Sequence, residues 1–487
     1  MKRKPVLGLY HLLIFIFIII KPTTMSNVTV SVKMYRMGEL GDCFLLNFKD
    51  GADESNVLID CGSFRNGKPS KDRITTVIND IKATLKGKKL DVVVGTHQHN
   101  DHLSGFTHCE DLFQDAVKKV WLSWLDDPKD PFARKIQNDQ FNLVRQLKGI
   151  YNNMTKLKIQ NRHEVVNDVL GFFGVSGDEP EVPRLGVEAL RKMGQDAPEY
   201  LSPGTIKQLP GLKKNAVKVY VMGPPRSQKQ LFDITAGKEE TYDPHLALAE
   251  ASASKILTAL ENKVMDGYHW EEAQFPFNLS YKKKFADADP EIKKVYNRSK
   301  DAFRKIDDEW LVSADRLALY LDSYTNNSSL VLAFELVKTG KVLLFAGDAQ
   351  TGNWNSWEKL KWEDAHKDFK TYNLLRNTVL YKVGHHGSHN ATLVKALEAM
   401  EHMELVAMIP VDKTDPNITK KNGWKMPAKN LFQRLKEKTG HRILVMDDGF
   451  ADGCDPKKNK TQAKWNGVKH TPKIKKDDLY VEYVVEG

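Results

Sequence analysis

Two hydrophobic periodicities alternate along the chain, and the points where one gives way to the other outline its architecture. From Val28, the runs VTVSVKMY, CFLLNF and NVLIDCG read as β-strands, each bounded by Gly, Asp or Asn. Between 70 and 86, Ile74, Val77, Ile78, Ile81 and Leu85 recur at helical spacing. A short apolar strand of the fully buried type, LDVVV, then runs straight into GTHQHNDHLSG. Strand–helix–strand order with continuous apolar runs predicts an α/β layered core.

Residues 126–210 change character: they are polar, rich in Lys, Asn and Gln, and lack strong β signals. KVYVMGPP at 218–225 returns to strand and stops at Pro-Pro. A mainly helical stretch follows, whose clearest piece opens at Asp243-Pro244 and stops at Gly267. Residues 328–348, SSLVLAFELVKTGKVLLFAGD, predict two strands joined by a Thr-Gly turn. LYKVG predicts a strand running into HHGSH, and 404–450 adds strand, helix (Pro427 to about Lys438) and strand. From 451 to 487 the chain is lysine-heavy and reads as a solvated tail rather than a nucleic-acid contact.

Composition changes this picture only at the margins. The chain has 487 residues, enough for one large core or two of ordinary size, and its 41% hydrophobic and 28% charged content exclude wholesale disorder. The net charge is +10, of which Lys2, Arg3, Lys4 and Lys21 supply four with no acid before residue 25, leaving 10 − 4 = +6. That surplus permits an anionic substrate, DNA or RNA included, without demonstrating one. Cys43, Cys61, Cys109 and Cys454 match neither a zinc knuckle nor a disulfide framework and read as reduced, buried thiols. Residues 1–24 hold the one strongly apolar run, 6–20, behind a basic start. That is the shape of a signal peptide or anchor, which would export the chain or tie it to a membrane. No small-x-small cleavage site follows, however, and the run is shorter than the ~20 residues a bilayer core requires. The competing reading is translation from Met25, which makes the protein cytoplasmic. No specific protein partner is indicated.

The chemistry-bearing residues sit at strand ends. In T-H-Q-H-N-D-H, His97 and His99 follow a strand two residues apart, so both imidazoles can address one metal ion, with Asp101 and His102 facing a second. Asp60, in V-L-I-D-C-G, ends a buried strand, where a carboxylate needs a partner and a metal-ligating histidine would supply one. Asp348, in L-L-F-A-G-D, ends another strand, and His385 and His386, in K-V-G-H-H-G-S-H, follow a third. Open α/β layers place sites beyond the carboxyl ends of their strands, and four such ends carry His or Asp. Trp121, Trp124 and Trp270 are candidates for a cleft lining, although core positions are the commoner use of tryptophan.

These residues and their order resemble the metallo-β-lactamase superfamily, and within it the hydrolase domain of ComEC-type DNA-uptake proteins and their stand-alone relatives. The likeness runs through Gly38-Glu39-Leu40-Gly41-Asp42, V-L-I-D-C-G, the His-x-His-x-Asp-His loop, V-M-G-P-P, N-N-S-S-L-V-L, the Gly347-Asp348 strand end and K-V-G-H-H-G-S. It covers about 27–125, 216–225 and 324–450, and leaves about 126–215 and 226–320 as helical insertions in a hydrolase domain spanning 25–450. It implies an αββα sandwich and two divalent ions, zinc or alternatively manganese. His97 and His99 would hold the first ion, Asp101 and His102 the second, with Asp348 bridging. His385 is the preferred last ligand and His386 the alternative ligand or a proton donor; Asp60 and Asp42 stand behind the ligands. Two departures matter. The wider superfamily usually has a further histidine where this chain has Asn326-Asn327-Ser328, and the ComEC-like branch tends to show His-Pro where this chain has Met426-Pro427.

The implied reaction is metal-assisted hydrolysis by a water shared between two ions, with Asp101 orienting it. Lys382 and the backbone around Gly387-Ser388 are candidate anion contacts. A phosphodiester, nucleic acid included, is the leading substrate class. The alternatives are another ester, an amide or a lactone, or a metal-binding regulatory protein without catalysis.

Overall fold

The computed structural model describes residues 27–156, 163–174, 182–234, 287–296, 298, 309–362, 369–420, 423–458, 465, 473–474 and 479–487. The helix expected at 243–267, the segment 1–24 and Trp270 lie outside them.

Sixteen strands form two mixed sheets. The first contains β1 (Thr29–Tyr35), β2 (Cys43–Asp50), β3 (Asp53–Cys61), β4 (Leu90–Val94), β5 (Val117–Ser123) and β6 (Glu199–Leu201), extended beyond β1 by β16 (Tyr480–Glu486) and β15 (Lys473–Ile474). The second runs in sequence order from β7 (Ile206–Gln208) through β8 (Val217–Gly223), β9 (Val331–Leu336), β10 (Lys341–Phe345), β11 (Thr378–Lys382), β12 (Val406–Ile409) and β13 (Ile443–Val445) to β14 (Gly449–Phe450).

Side-chain alternation explains how the sheets stack. In β9 and β10, Leu332, Phe334, Leu336, Leu343 and Phe345 join the core shared with the first sheet. The intervening Val331, Ala333, Val342 and Leu344 face a second apolar layer with Leu374, Leu397, Leu431 and Leu435. The period of two thus gives each strand two buried faces. Phe44 meets Phe345 and Phe48 meets Phe334 across the interface, at 5.6 and 5.5 Å between ring centroids. Helix α1 (Lys68–Leu85) buries the expected stripe, Ile74, Val77, Ile78, Ile81 and Leu85. The result is an αββα sandwich. Trp121 and Trp124 are buried, and all four cysteines are buried free thiols. Among the described residues no helix is long and apolar enough to cross a membrane.

The polar stretch after 126 supplies α3 (Pro131–Lys156), α4 (His163–Phe172) and α5 (Val182–Met193), and also the short strands β6 and β7. Helix α5 lies directly on α2 (Asn100–His108), the helix that begins inside the histidine loop. A Cβ on Gly186 would stand 2.8 Å from the Leu103 carbonyl oxygen, so only glycine permits this approach.

The lysine-rich end corrects the reading of 451–487 as a tail. Its last residues, YVEYVVE, pair with β1 along their whole length, Thr29 opposite Glu486 through Tyr35 opposite Tyr480. Val481, Tyr483 and Val485 are buried on the inner face. Burial alternates along all seven residues, and their Val and Tyr content is a strand signal that the preceding lysines obscure. Deleting 479–487 should therefore lower unfolding stability by on the order of 5 kcal/mol, the loss of three buried side chains at ~1.5–3 kcal/mol each, read from urea denaturation followed by circular dichroism.

Candidate metal centre

The parallel pairs β3–β4 and β10–β11 bring their carboxyl ends to one edge of the sandwich. Asp60 ends β3, Thr96 and His97 follow β4, Asp348 follows β10, and His385 and His386 follow β11. The Leu330 N–H donates to the Thr96 carbonyl at 2.9 Å, tying the two sheets together there.

Asp60 organises the first sheet's contribution. It accepts from the Thr96 N–H at 2.9 Å, the Thr96 hydroxyl at 2.7 Å and His102 Nδ1 at 2.7 Å. With the Nδ1 proton given to a carboxylate, His102 presents its Nε2 lone pair to the interior. That Nε2 stands 3.3 Å from Asp348 and 3.7 Å from Asp101. His386 is fixed by the same logic. Its Nδ1 donates to the Pro410 carbonyl at 2.6 Å, and its Nε2 lies 2.9 Å from Asp101 Oδ2. Asp101, His102, Asp348 and His386 thus converge as a group of four buried residues that could hold a metal ion.

His97 and His99 adjoin this group. His97 Nε2 and His99 Nδ1 face one another at 3.2 Å, and the ring of His97 lies 4.1 Å from that of His102. Ser329 Oγ links the two sheets at this point, 3.2 Å from His97 Nδ1 and accepting from the Asp348 N–H at 2.9 Å. His385 turns away from the group of four: its Nδ1 meets Ser388 Oγ at 2.9 Å and its Nε2 lies 3.4 Å from Asn326 Nδ2. Its N–H nevertheless donates to Asp348 Oδ1 at 2.8 Å.

Lys382 is buried and points inward. Its ammonium donates to Asp42, to Asp348 Oδ1 at 3.1 Å and to the Gly347 carbonyl at 3.0 Å. These bonds use its three protons on the protein itself, so the geometry gives it charge compensation rather than contact with an external anion. The N–H groups of Gly387 and Ser388 close the local turn onto Gly384 and His385. Asp42 also braces the histidine loop from behind, its N–H donating to the Asp101 carbonyl at 2.8 Å.

Helix Glu309–Asn327 delivers two site residues that the sequence reading passed over or left undecided. Asp322 Oδ1 lies 3.8 Å from His99 Nε2. Asn326, one turn later, approaches both Asp322 and His385. The available signal was a carboxylate and an amide at i and i+4, which share a helix face. The rings of Phe172 and Phe173, at the end of α4, stand 5.2 and 5.1 Å from the ring of His99 and wall this side.

The electrostatics divide the histidines. Burial, reinforced by His102 and His99, holds His97 well below the usual imidazole value, and burial takes His99 down to about 3 and His385 to about 4. Burial acts the same way on His102 and His386, but facing carboxylates outweigh it and raise both. Against burial, Lys382 and His102 hold Asp348 well below the carboxylate range, and His102 and His386 lower Asp101. Backbone strain gathers at the same points: Asp60, His385 and His386 have φ of 56°, 45° and 51°, a left-handed conformation costly for side-chain-bearing residues. Gly62 is required by closeness instead, since a Cβ there would sit 2.4 Å from the Asp101 carbonyl carbon and the His102 nitrogen.

Several polar atoms aimed into the centre are buried without a hydrogen-bond partner among the described residues: His99 Nε2, His102 Nε2, Asp101 Oδ1, Asp42 Oδ1 and Asn326 Oδ1. Buried groups of this kind are costly unless something binds them, and imidazole and carboxylate together are the donor set of divalent transition metals. The residues fit a metal ion.

Residues 37–204 match the family model of the Metallo-beta-lactamase superfamily. No curated protein matches the chain. The matched span contains Asp42, Asp60 and the whole histidine loop, so the similarity covers the first sheet's half of the candidate centre.

Asp60→Ala should destabilise the fold by about 3 kcal/mol, because three buried donors lose their acceptor at ~1–3 kcal/mol each, partly offset by local relaxation. Urea denaturation measures this, and an unchanged midpoint would contradict the anchoring role.

Proposed function

We propose that the chain is a metal-dependent hydrolase of phosphodiesters, DNA or RNA among them, working with two divalent ions of zinc or manganese. One observation carries the metal reading. Asp42, Asp60, Asp101 and Asp348 are all at most 1% exposed, and Lys382 is the one buried ammonium that meets them. Around them Asp101 Oδ1, Asp42 Oδ1, His99 Nε2 and His102 Nε2 are buried without a hydrogen-bond partner among the described residues, an arrangement that bound cations would satisfy.

Asp101, His102, Asp348 and His386 would hold one ion, which gives His386 the place that the resemblance assigned first to His385. His97 and His99 would hold the other, with Asp348 shared. Asn326 belongs to the Asn326-Asn327-Ser328 stretch where the wider superfamily usually has a further histidine, and with Asp322, 3.8 Å from His99 Nε2, it would complete the first ion's surroundings. Bound divalent ions supply an activated water and polarise the phosphoryl oxygen. The protein's own part is positional. Asp60 and the Pro410 carbonyl fix which nitrogen of His102 and of His386 is free. Lys382 favours the ionised form of Asp348 and holds Asp42 in place, although burial raises Asp42. The α4 phenylalanines restrict water on the His99 side.

The phosphodiester preference is supported by the ComEC-type motif order, K-V-G-H-H-G-S above all, and by the net charge of +10. Other esters, amides and lactones are the competing substrates for the same centre.

Metal content by mass spectrometry, paired with hydrolysis of bis-p-nitrophenyl phosphate, tests the proposal. The expected result is about two zinc or manganese ions per chain, with turnover falling at least ~100-fold in Asp348→Ala. Bound metal without phosphodiester turnover would move the substrate to the other esters, amides or lactones. No metal and no turnover after metal is added back would overturn the hydrolase reading.

A further inference from the structure

A cavity of about 360 Å³ lies beside the metal centre between α3 and α5. On α5, Arg184, Val187, Glu188 and Arg191 line it at i, i+3, i+4 and i+7, a single helix face. On α3, Gln137, Gln140, Phe141 and Val144 do the same. The floor is Gln98, the residue between His97 and His99, together with Phe173, whose ring adjoins His99. A second pocket of about 20 Å³, room for about one water, continues the space toward the metal residues. It shares Gln98, Gln137 and Gln140 with the larger cavity and adds Thr96 and His97.

The lining has a definite chemistry. The three glutamines are held through their nitrogens: Gln98 donates to Asp126 Oδ1 at 2.7 Å, Gln140 to Thr325 Oγ1 at 2.6 Å, and Gln137 to the Leu125 carbonyl. Among the described residues no donor reaches their amide oxygens, which remain as fixed acceptors for N–H groups of a ligand. The Phe141 ring has the guanidinium groups of Arg184 and Arg145 at 5.1 and 5.3 Å from its centroid, and Arg184 pairs with Glu188 at 3.4 Å. Arg191 bonds the Asp126 carbonyl through Nη2, while its Nε is buried without a partner among the described residues. Amide acceptors, one aromatic face and guanidinium groups together recognise a nucleobase and its phosphate. A cavity at the low end of the ~300–1,000 Å³ range for small ligands holds one such unit and not a polymer.

We propose that this cavity binds the single nucleotide unit adjoining the phosphate cleaved at the metal centre, reading its base through Gln98, Gln137 and Gln140. The assignment rests on the phosphodiester reading above. The test is calorimetric titration of the full chain with the common nucleoside 5′-monophosphates, with ribose 5-phosphate as the probe lacking a base. At least one nucleotide should bind once per chain and at least ~10-fold more tightly than ribose 5-phosphate. Gln140→Leu and Arg184→Ala should each weaken it at least ~10-fold. Equal binding of ribose 5-phosphate, or affinity unchanged in both variants, would overturn the proposal. Arg184 is exposed, so its variant carries the test if Gln140→Leu fails to fold. Turnover of bis-p-nitrophenyl phosphate without nucleotide binding would sink the cavity assignment alone. Nucleotide binding without phosphodiester turnover would keep the cavity as a nucleotide site and sink the phosphodiester reading.

Discussion

Carboxylates have been folded into a place with almost no water, and the rest of the structure is arranged around that constraint. Asp42, Asp60, Asp101 and Asp348 meet in the crevice where the two sheets end. A buried carboxylate without partners is among the costliest groups a protein can carry. Each of these has therefore been given specific company: Lys382 for Asp42 and Asp348, Thr96 and His102 for Asp60, His386 for Asp101. The histidines sort accordingly: facing carboxylates raise His102 and His386, and burial lowers His97, His99 and His385.

The sandwich makes this arrangement reachable. Parallel neighbours deliver their ends side by side, and the close approaches at Gly62 and Gly186 let the histidine loop and α5 lie against bare backbone. The left-handed conformations of Asp60, His385 and His386 are the local expense of aiming side chains into so small a space. Ser329, bonded to Asp348 and adjoining His97, keeps the two halves of the centre in register.

Much of this was legible beforehand because it is written in short-range patterns. Apolar runs ending in His or Asp announced the strands and the edge where they converge, and α1 followed its period to the residue. Asp322 was not legible, because its role depends on a helix crossing the mouth of the site from more than two hundred residues downstream of His99. The choice between His385 and His386 depends on which ring reaches the Pro410 carbonyl, and adjacent identical residues leave no trace of that in sequence. β16 escaped for a compositional reason: the lysines before it drew attention from seven residues rich in Val and Tyr. The glutamine-lined cavity was hidden in the stretch that read only as polar, since a polar helix face looks the same whether it meets water or another helix.

The division of the centre between the two sheets has a consequence for how the molecule is made. The histidine loop ends at His102, whereas His386 lies 386 − 102 = 284 residues later. At ribosomal rates of ~5–20 residues per second, the first half leaves synthesis roughly 14–57 s before its counterpart. For most of that interval Asp101 and His102 have neither His386 nor Asp348 to face. A nascent chain at this stage carries only one half of the centre, which closes only once the second sheet arrives to cover it.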